Sequence, residues 1–385
     1  MERVAYFDNA ATTFPKPEAV YAFTDKFYRE CGVNIGRGQY RLAAKATALV
    51  SETRELLLDL NHCSSKKVVF THTATEALNV ILRGFSWVDG MTVYISPFEH
   101  NAVTRVLYHL GKYCQLKIET LAFDKRRFEY NLNAIKEQFT RRYPNMVVMS
   151  HASNVCGILS PISEICLLSK RYGATTVIDM CQTMGLIDID LSLETIDYAV
   201  FAGHKTLYSP IGIAGFICSE GANIAPLLFG GTGIDSESQE LPDTIPERYE
   251  VGSPNIAAIA GLNASLRWIN EVGIAAIHSK EQENRERLIA LLKSYDNIRL
   301  VPISIADGAT GVVSCIFDGY ESASMGQILS DKGVAVRTGF HCAPNAHRFL
   351  GTFPAGTVRF SVSCFTNDDD FKVLEEALTY IHNNF

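Results

Sequence analysis

The ten cysteines of this 385-residue sequence are widely separated, and no two lie closer than Cys156 and Cys166. The sequence therefore has no Cys-x-x-Cys pair, which disfavours a structural zinc site or a redox pair of the usual spacing. A chain of this length without a secretory signal is expected to keep its thiols reduced rather than to form disulfides.

Long hydrophobic runs are absent as well. The first nine residues include Glu2, Arg3 and Asp8 and contain no apolar segment of signal-peptide length. No later run reaches about 18 uncharged apolar residues, which is the length that a membrane-spanning helix needs. We therefore expect a cytoplasmic protein with no membrane partner.

Positive charge is not in excess. The 35 Lys and Arg residues against 42 Asp and Glu residues give a net charge of −7, which offers no broad attraction to phosphate backbones or to anionic lipid. Nucleic acid is therefore not expected as a main partner. The hydrophobic share of 47 % and the charged share of 20 % are those of a globular protein, and the length allows two domains.

The usual nucleotide and metal motifs are missing. The glycine-rich residues 230–233 lack the Lys-Ser/Thr of a P-loop, and residues 36–38, Gly-Arg-Gly, have neither a third glycine at the right spacing nor a strand before them. There is no His-Glu-x-x-His, no Gly-x-Ser-x-Gly and no clustered set of His and carboxylate residues. No metal site is predicted.

Short apolar, β-branched runs alternate with helix-length segments from residue 66 onward. This alternation is typical of an α/β fold with a mostly parallel sheet covered by helices on both faces. We predict seven strands, at residues 68–71, 92–95, 116–118, 146–149, 176–178, 198–201 and 215–218. Ligands of such sheets bind beyond the carboxyl ends of the strands. Polar clusters follow these ends at residues 73–76, 99–100, 153–154, 179 and 203–205.

The pattern changes near residue 256, where long helices and a few alternating strands begin. The clearest of these strands are at 312–317 and 357–364, and apolar residues three and four apart predict a last helix through residues 371–381. We predict a large domain at 15–255 and a smaller α+β domain formed by 1–14 and 256–385. Residues 232–250 follow neither hydrophobic period and are predicted to form a long loop.

An aspartate and a lysine each follow an apolar strand. Asp179 ends the run Val-Ile-Asp, and Lys205 follows His204 after the next strand. A lysine desolvated at such a position can form a Schiff base, as pyridoxal phosphate requires, and the cofactor also needs a carboxylate beside its pyridinium nitrogen. Taken singly, Asp179 could cap a helix and Lys205 could be a surface lysine. Together they favour the cofactor.

Short motifs along nearly the whole chain carry a family resemblance. They lie at residues 6–13, 34–38, 73–79, 99–102, 153–157, 179–182, 203–205, 252–255, 337–343 and 358–361. With these motifs in this order, the sequence resembles the class V aminotransferase family of fold-type I pyridoxal phosphate enzymes. Within that family it is similar to the cysteine desulfurases, particularly the branch close to selenocysteine lyases. The resemblance implies this fold and cofactor, a small amino-acid substrate, and a homodimer with its active site at the subunit interface.

The resemblance also implies roles around the cofactor ring. Lys205 would bond covalently to the cofactor, Asp179 would pair with the pyridinium nitrogen, and Gln182 would bond the ring hydroxyl oxygen. His100 would stack on the ring and move protons, which suits an imidazole that titrates near neutrality. Asn154 would bond the ring or the substrate; an Asx turn is the structural alternative.

Further roles concern the phosphate group. Ala74 and Thr75 would open a helix whose free backbone amides hold the phosphate. His204 would add a contact, and Ser253 would reach the phosphate from the partner subunit. Many relatives carry Ser or Thr where this chain has Ala202, so one hydroxyl donor is absent.

The remaining implied roles concern the substrate. Arg359 would bind its carboxylate in a two-pronged contact. Cys342 would take up sulfur as a persulfide while L-cysteine becomes L-alanine. Cys342 lies in a polar turn with Arg337 and His341 close enough in sequence to favour thiolate, whereas most other cysteines lie in or beside apolar elements and Cys31 has no chemical motif nearby.

Other functions stay open at this point. A selenocysteine lyase, an epimerase or an aminotransferase of the same family would use the same cofactor, but the transamination and racemisation chemistries need no thiol. A catalytically silent relative could act as a scaffold, although Lys205, Asp179 and Arg359 are intact. A desulfurase would also need a sulfur acceptor, such as an acceptor protein, because the persulfide on Cys342 has to be discharged.

Overall fold

The structure is a computed structural model that describes residues 4–35, 38, 40–234, 237–302 and 309–384. Gly36 and Arg37 of the motif at 34–38 lie outside the described residues, as do Glu2 and Arg3. The helices are α1 (Glu18–Cys31), α2 (Arg41–Leu60), α3 (Ala74–Gly84), α4 (Asn101–Leu110), α5 (Leu132–Arg141), α6 (Ile162–Arg171), α7 (Ile256–Val272), α8 (Ile274–Lys293), α9 (Ser322–Asp331), α10 (Pro344–Leu350) and α11 (Asp368–Asn384). The strands are β1 (Ala5–Tyr6), β2 (Lys67–Thr71), β3 (Thr92–Ile95), β4 (Lys117–Thr120), β5 (Phe123–Asp124), β6 (Glu129–Tyr130), β7 (Met146–Ser150), β8 (Thr175–Asp179), β9 (Tyr198–Ala202), β10 (Ala214–Cys218), β11 (Ile298–Leu300), β12 (Val312–Phe317), β13 (Val334–Ala335), β14 (Arg337–Gly339) and β15 (Thr357–Ser361).

The seven predicted strands form one sheet, in the order β2-β10-β9-β8-β7-β3-β4. The pairs from β9 to β4 are parallel, whereas β10 runs antiparallel to both of its neighbours, β9 and β2. The prediction of a mostly parallel seven-stranded sheet is therefore confirmed. Parallel strands end at one edge, so the polar segments that follow β3, β7, β8 and β9 come together there.

Helices cover both faces of this sheet. Alternate residues of each strand face opposite sides, so Val93 and Ile95 pack against α3 and α4 while Tyr94 packs in the core on the other face. That second core is formed with α1, α2, α5, α6 and α7. Burial on both faces explains why the strands read as continuous apolar runs.

A second, antiparallel sheet has the order β11-β12-β15-β14. It packs with α8, α9 and α11 around a third core, which also contains Phe7 because β1 pairs with β13. Helix α7 instead packs against α1 and α2. The domain boundary at residue 255 stays a prediction.

Among the described residues, no helix combines the length and apolar character needed to cross a bilayer. These residues also contain no group of three or more His, Cys, Asp or Glu side chains placed to hold a metal ion. The described part of residues 232–250 forms turns but neither helix nor strand, as predicted.

Candidate active site

A cavity of about 290 Å³ lies at the carboxyl edge of the large sheet, where β7, β8 and β9 end. Two small side chains near the chain start, Ala10 and Ala11, form part of its wall. The predicted site residues that line it are Ala74, Thr75, His100, Asn154, Asp179, Gln182, His204, Lys205, Cys342 and Arg359. The fold thus brings together residues that are nearly 300 positions apart in the sequence.

One end of the cavity is built to receive an anion. Thr73 caps α3, since its side chain accepts a hydrogen bond from the backbone N–H of Glu76 at 3.1 Å. The backbone N–H groups of Ala74 and Thr75 belong to the first turn of α3, where they have no partner within the helix. Helix N-termini with free N–H groups bind phosphate readily.

His204 adds a polar atom to this end. Its Nδ1 is buried and has no hydrogen-bond partner among the described residues. Burial, together with the charges of Lys205 and Lys16, lowers the pKa of His204 to about 4. Lys16 Nζ donates to the His204 carbonyl oxygen at 2.6 Å. A bound phosphate would give the orphaned Nδ1 a partner.

Three polar side chains surround the middle of the cavity. Asp179, at the end of β8, is 8 % exposed, and its Oδ1 accepts a hydrogen bond from the Cys181 backbone N–H at 3.0 Å. Gln182 Nε2 donates to the Ala10 carbonyl oxygen at 2.9 Å, which leaves its second N–H for a ligand. Lys205 Nζ makes no hydrogen bond or ion pair with the described part of the chain, so its amine is available for covalent chemistry.

His100 has a structural task as well as a place in the cavity wall. It is the N-cap of α4, and its Nδ1 accepts a hydrogen bond from the Ala102 backbone N–H at 3.0 Å. Burial and the charge of Lys205 lower the pKa of His100 to about 4. The ring is therefore neutral with its proton on Nε2. It can stack on a ligand, whereas taking up a proton at Nδ1 would break the cap.

Arg359 enters the cavity from β15. Its side chain is only 2 % exposed and forms an ion pair with Asp8, with Nη2 2.7 Å from Oδ1. Nη1 donates to the Asn154 carbonyl oxygen at 3.1 Å, and Nε is buried without a partner among the described residues. An unpaired, buried guanidinium N–H at a cavity wall fits a ligand carboxylate.

The turn that carries Cys342 is strained and firmly held. His341 and Cys342 both have left-handed backbones, with φ of 48° and 59°, a rare conformation for residues other than glycine. Asn154 Nδ2 donates to the His341 carbonyl oxygen at 2.7 Å, and the Asn101 N–H donates to the Cys342 carbonyl oxygen at 2.7 Å. These contacts keep the thiol at the cavity wall.

The electrostatic surroundings of Cys342 differ from the prediction in one respect. Arg337 Nη2 lies 3.7 Å from Cys342 Sγ, within hydrogen-bond reach of the sulfur. His341 does not contribute in this way, because its Nε2 lies 2.8 Å from Thr357 Oγ1 and burial lowers its pKa far below neutrality. The expectation that His341 favours the thiolate was wrong, since the sequence does not show that this ring turns inward.

All ten cysteines are free, and Cys342 is the exposed one. Cys181 also lines the cavity, but burial and the charge of Asp179 raise its pKa well above the usual value. Burial also raises the pKa of other thiols, namely Cys63, Cys156, Cys166, Cys218, Cys315 and Cys364. These thiols stay protonated. Cys31, which is buried, and Cys114 do not line the cavity, which leaves Cys342 as the candidate nucleophile.

Sequence reasoning placed Glu99 in a polar cluster after a strand but gave it no role in this site. Its carboxyl group is fully buried behind the cavity and accepts hydrogen bonds from the Ser150 N–H at 2.6 Å, from Ser150 Oγ and from Ser96 Oγ. Burial raises the pKa of Glu99 to about 8, although these hydrogen bonds act in the opposite direction. An acid directly after the apolar Pro-Phe pair that follows β3 is the signal that could have revealed it.

Ser253 does not line this cavity within one chain. It is exposed on a separate cavity of about 580 Å³, between the loop at 246–255 and the segment at 70–76. Its predicted contact with the phosphate of a partner subunit stays a prediction.

Comparison with known proteins agrees with this fold. The family model for Aminotransferase class-V matches residues 5–374. The chain belongs to the class-V aminotransferase family. A probable cysteine desulfurase of Pyrococcus abyssi is 30 % identical over 388 residues, covering 99 % of this chain and 93 % of that protein. A probable cysteine desulfurase of Methanothermobacter thermautotrophicus is 29 % identical over 387 residues, covering 98 % and 94 %.

A solved relative has the same fold over its whole length. The apo structure of a cysteine desulfurase from Thermococcus onnurineus superposes with a TM-score of 0.91 at 27 % identity, covering 99 % of this chain and 95 % of that one. The family and the architecture predicted from the motifs are thereby confirmed.

Proposed function

We propose that this protein is a pyridoxal phosphate-dependent cysteine desulfurase that transfers the sulfur of L-cysteine to Cys342 and releases L-alanine. One observation carries the proposal: the exposed thiol of Cys342 lines the same cavity as Lys205, Asp179 and Arg359. The other reactions considered for this family either need no thiol or use selenium in place of sulfur. The relatives named as probable cysteine desulfurases support the same function.

The residues of the cavity fit the cofactor. Lys205 Nζ would hold it covalently, Asp179 would face its ring nitrogen, and His204 with the α3 amides at Thr75 would bind its phosphate. Gln182 would donate its free N–H to the ring oxygen. When bound, the cofactor supplies an electron sink for the negative charge that develops on the substrate.

The remaining groups act on the substrate. Arg359 would bind its carboxylate through the guanidinium N–H groups that Asp8 and Asn154 leave free. Cys342 Sγ, with Arg337 Nη2 3.7 Å away, would attack the substrate sulfur. An S–S bond forms and the C–S bond breaks, so that L-cysteine and one thiol yield L-alanine and one persulfide. Lys205 Nζ is placed to move the proton at the substrate carbon, since the His100 Nδ1 is engaged by its helix.

Two further parts of the proposal concern partners. We propose a homodimer in which Ser253 of one subunit contacts the phosphate in the other, which would explain an exposed serine far from its own cavity lining. A thiol acceptor, either a protein or a small molecule, must then remove the sulfur, because the persulfide has to be discharged before a second turnover.

The decisive experiment measures products and the persulfide together. Holoenzyme is incubated with L-cysteine, and in parallel with L-selenocysteine, and alanine, sulfide and selenide are quantified while mass spectrometry locates the added sulfur. We expect alanine from L-cysteine and one extra sulfur on the Cys342 peptide. Cys342→Ser is expected to keep the yellow colour and the first spectral change with L-cysteine but to form no persulfide.

Cys114→Ser is the matched control, because Cys114 is a partly exposed thiol outside the cavity lining. It should behave as the parent does. If Cys342→Ser makes alanine and sulfide as fast as the parent, the desulfurase mechanism is wrong, and turnover of L-selenocysteine alone would favour the lyase.

A further inference from the structure

A second groove opens beside Cys342, between α3 and α4. Its volume is about 590 Å³, which is within the range of sites for small molecules. The groove shares Thr75, His100, Ala102 and Cys342 with the active-site cavity. A molecule in the groove would therefore reach the thiol of Cys342 from outside the cavity that would hold the cofactor and substrate.

The groove is positively charged, although the chain has a net charge of −7. Its lining includes Arg83 from α3, Arg105 and His109 from α4, and no acidic residue. Arg83 and Arg105 are exposed and form no ion pair or hydrogen bond within the described part of the chain. Other exposed arginines of the chain, such as Arg142, have a carboxylate partner. Two unpaired guanidinium groups on facing helices suit a ligand with carboxylates.

The thiol cannot move far to meet its acceptor. Two hydrogen bonds hold the backbone of its turn. The Asn101 N–H donates to the Cys342 carbonyl oxygen, and Asn154 Nδ2 donates to the His341 carbonyl oxygen, each at 2.7 Å. Helix α10 begins two residues after Cys342. A persulfide formed on such a fixed turn has to be discharged in place, so the acceptor must have its own route to the sulfur.

We propose that the groove between α3 and α4 binds the thiol that discharges Cys342, and that this acceptor is a small thiol bearing carboxylates that Arg83 and Arg105 recognise. The inference rests on the proposed desulfurase function. The volume of the groove fits a small molecule, and its charge selects an anionic one. An acidic segment of an acceptor protein is the competing occupant.

The transfer balances without an oxidant or a reductant. The thiolate of the acceptor attacks the outer sulfur of the persulfide, a new S–S bond forms, and the old S–S bond breaks with its electron pair on Cys342 Sγ. Cys342 Sγ is thereby regenerated beside Arg337 Nη2, and the acceptor leaves as a persulfide. The proton of the acceptor thiol is released to solvent or to Cys342.

The test separates acceptor charge from acceptor reactivity. Holoenzyme loaded with one equivalent of L-cysteine is mixed with mercaptosuccinate or with uncharged 2-mercaptoethanol, and loss of the Cys342 persulfide is followed over time. The double variant Arg83→Gln/Arg105→Gln is expected to lower the rate constant for mercaptosuccinate by about tenfold or more, the effect of losing charge-assisted hydrogen bonds. The rate with 2-mercaptoethanol and the amount of alanine formed in the loading step should stay unchanged. Arg171→Gln, an exposed arginine on α6, should match the parent in every assay.

A second measurement does not depend on formation of the persulfide. Alkylation of Cys342 by anionic iodoacetate should be several times slower in the double variant, while alkylation by neutral iodoacetamide should not change. If no persulfide forms in the parent but this alkylation difference is present, the proposed function is wrong, while the proposal that the groove binds anions is supported. Equal rates in the parent and the double variant for both anionic reagents, mercaptosuccinate and iodoacetate, would overturn the proposal that the groove binds the acceptor. A rate loss that is the same for charged and neutral reagents would overturn it too.

Discussion

Asp179 is the residue through which the protein would control the electronics of its cofactor. A carboxylate against the ring nitrogen keeps that nitrogen protonated, which strengthens the electron sink. Asp179→Asn is expected to bind the cofactor and stay yellow, but to form alanine at least about a hundredfold more slowly. The asparagine Oδ1 can still accept the hydrogen bond from the Cys181 N–H, so the fold should be retained. Absorbance and single-turnover alanine formation measure the two effects.

Asp190→Asn provides the matched control for this variant. Asp190 Oδ1 accepts a hydrogen bond from the N–H two residues later, that of Ser192, at 2.8 Å, as Asp179 does, but it is exposed and does not line the cavity. It should turn over at the parent rate. Turnover by Asp179→Asn close to that of the parent would reject the electronic role.

Single residues differ in how far the sequence could predict them. Asp179 and Lys205 were predictable because each directly follows an apolar strand, and parallel strands end at one edge. The inward turn of His341 was not, because it depends on Thr357, a contact that only the folded second sheet creates. The pairing of Arg359 with Asp8 joins residues 351 positions apart and was hidden for the same reason.

Helix α3 is the element on which phosphate binding would depend. Its N-terminus has a reciprocal cap: the Thr73 side chain accepts from the Glu76 N–H at 3.1 Å, and Glu76 Oε2 accepts from the His72 N–H at 3.0 Å. Thr73→Ala is expected to lower the free energy of unfolding of the apoprotein by about 1 kcal/mol, the usual value of such a cap. It should also weaken cofactor binding, because the amides of Ala74 and Thr75 are in the first turn. Urea unfolding and cofactor titration measure the two quantities.

Thr73→Ser tests whether the hydroxyl is responsible. Serine keeps the accepting oxygen and should retain most of the stability and the cofactor affinity. Equal losses in the serine and alanine variants would point to packing of the threonine methyl group, and capping would then not be the cause.

At the scale of elements, the strands were the most predictable part of the fold. Six of the seven strands of the large sheet are buried on both faces and have the continuous apolar sequence that this burial requires, whereas the edge strand β4 is mostly exposed. The β5–β6 hairpin was missed because each of its strands has only two residues. Helices α1 and α2 were not predicted individually, since they precede the first strand of the alternating pattern.

The whole molecule contains several neutral, buried histidines, and these predict sensitivity to acid. His151 is the simplest case, because it is 4 % exposed and burial alone lowers its pKa to about 3. Between pH 6.5 and 3 the unfolded chain binds a proton at this residue that the folded chain does not. The free energy of unfolding should therefore fall as the pH falls below 6.5, by roughly 1.4 kcal/mol per pH unit for this residue.

His151→Asn removes this titration while it can retain a hydrogen bond to Thr183. Urea unfolding of the apoprotein at pH 6.5 and pH 5.0 is expected to show a smaller loss of stability in the variant than in the parent. His109→Asn, at an exposed histidine, should lose as much stability as the parent does. Identical losses in all three proteins would show that His151 is protonated in the folded state as readily as in the unfolded state.

The proposed dimer can be tested through Ser253 and Lys205. If Ser253 acts on the partner's cofactor, an acidic residue there should repel the phosphate of the neighbouring site, so Ser253→Asp should lose colour and activity. Lys205→Ala should be inactive because it lacks the covalent attachment point. Each variant alone is therefore expected to be inactive.

Mixing the two inactive variants separates action across the interface from action within one chain. In a hybrid dimer, the site built on the Ser253→Asp chain keeps Lys205 and receives an intact Ser253 from the Lys205→Ala chain, so one active site of two should return. If Ser253 served its own chain, both sites of the hybrid would be damaged and no activity would return. When an equal mixture of the two variants is unfolded and refolded, random association makes about half of the dimers hybrids. Because each hybrid has one active site of two, the recovered activity should be about one quarter of the parent's. Recovery of none, with dimers present by light scattering, would place Ser253 outside the partner's site.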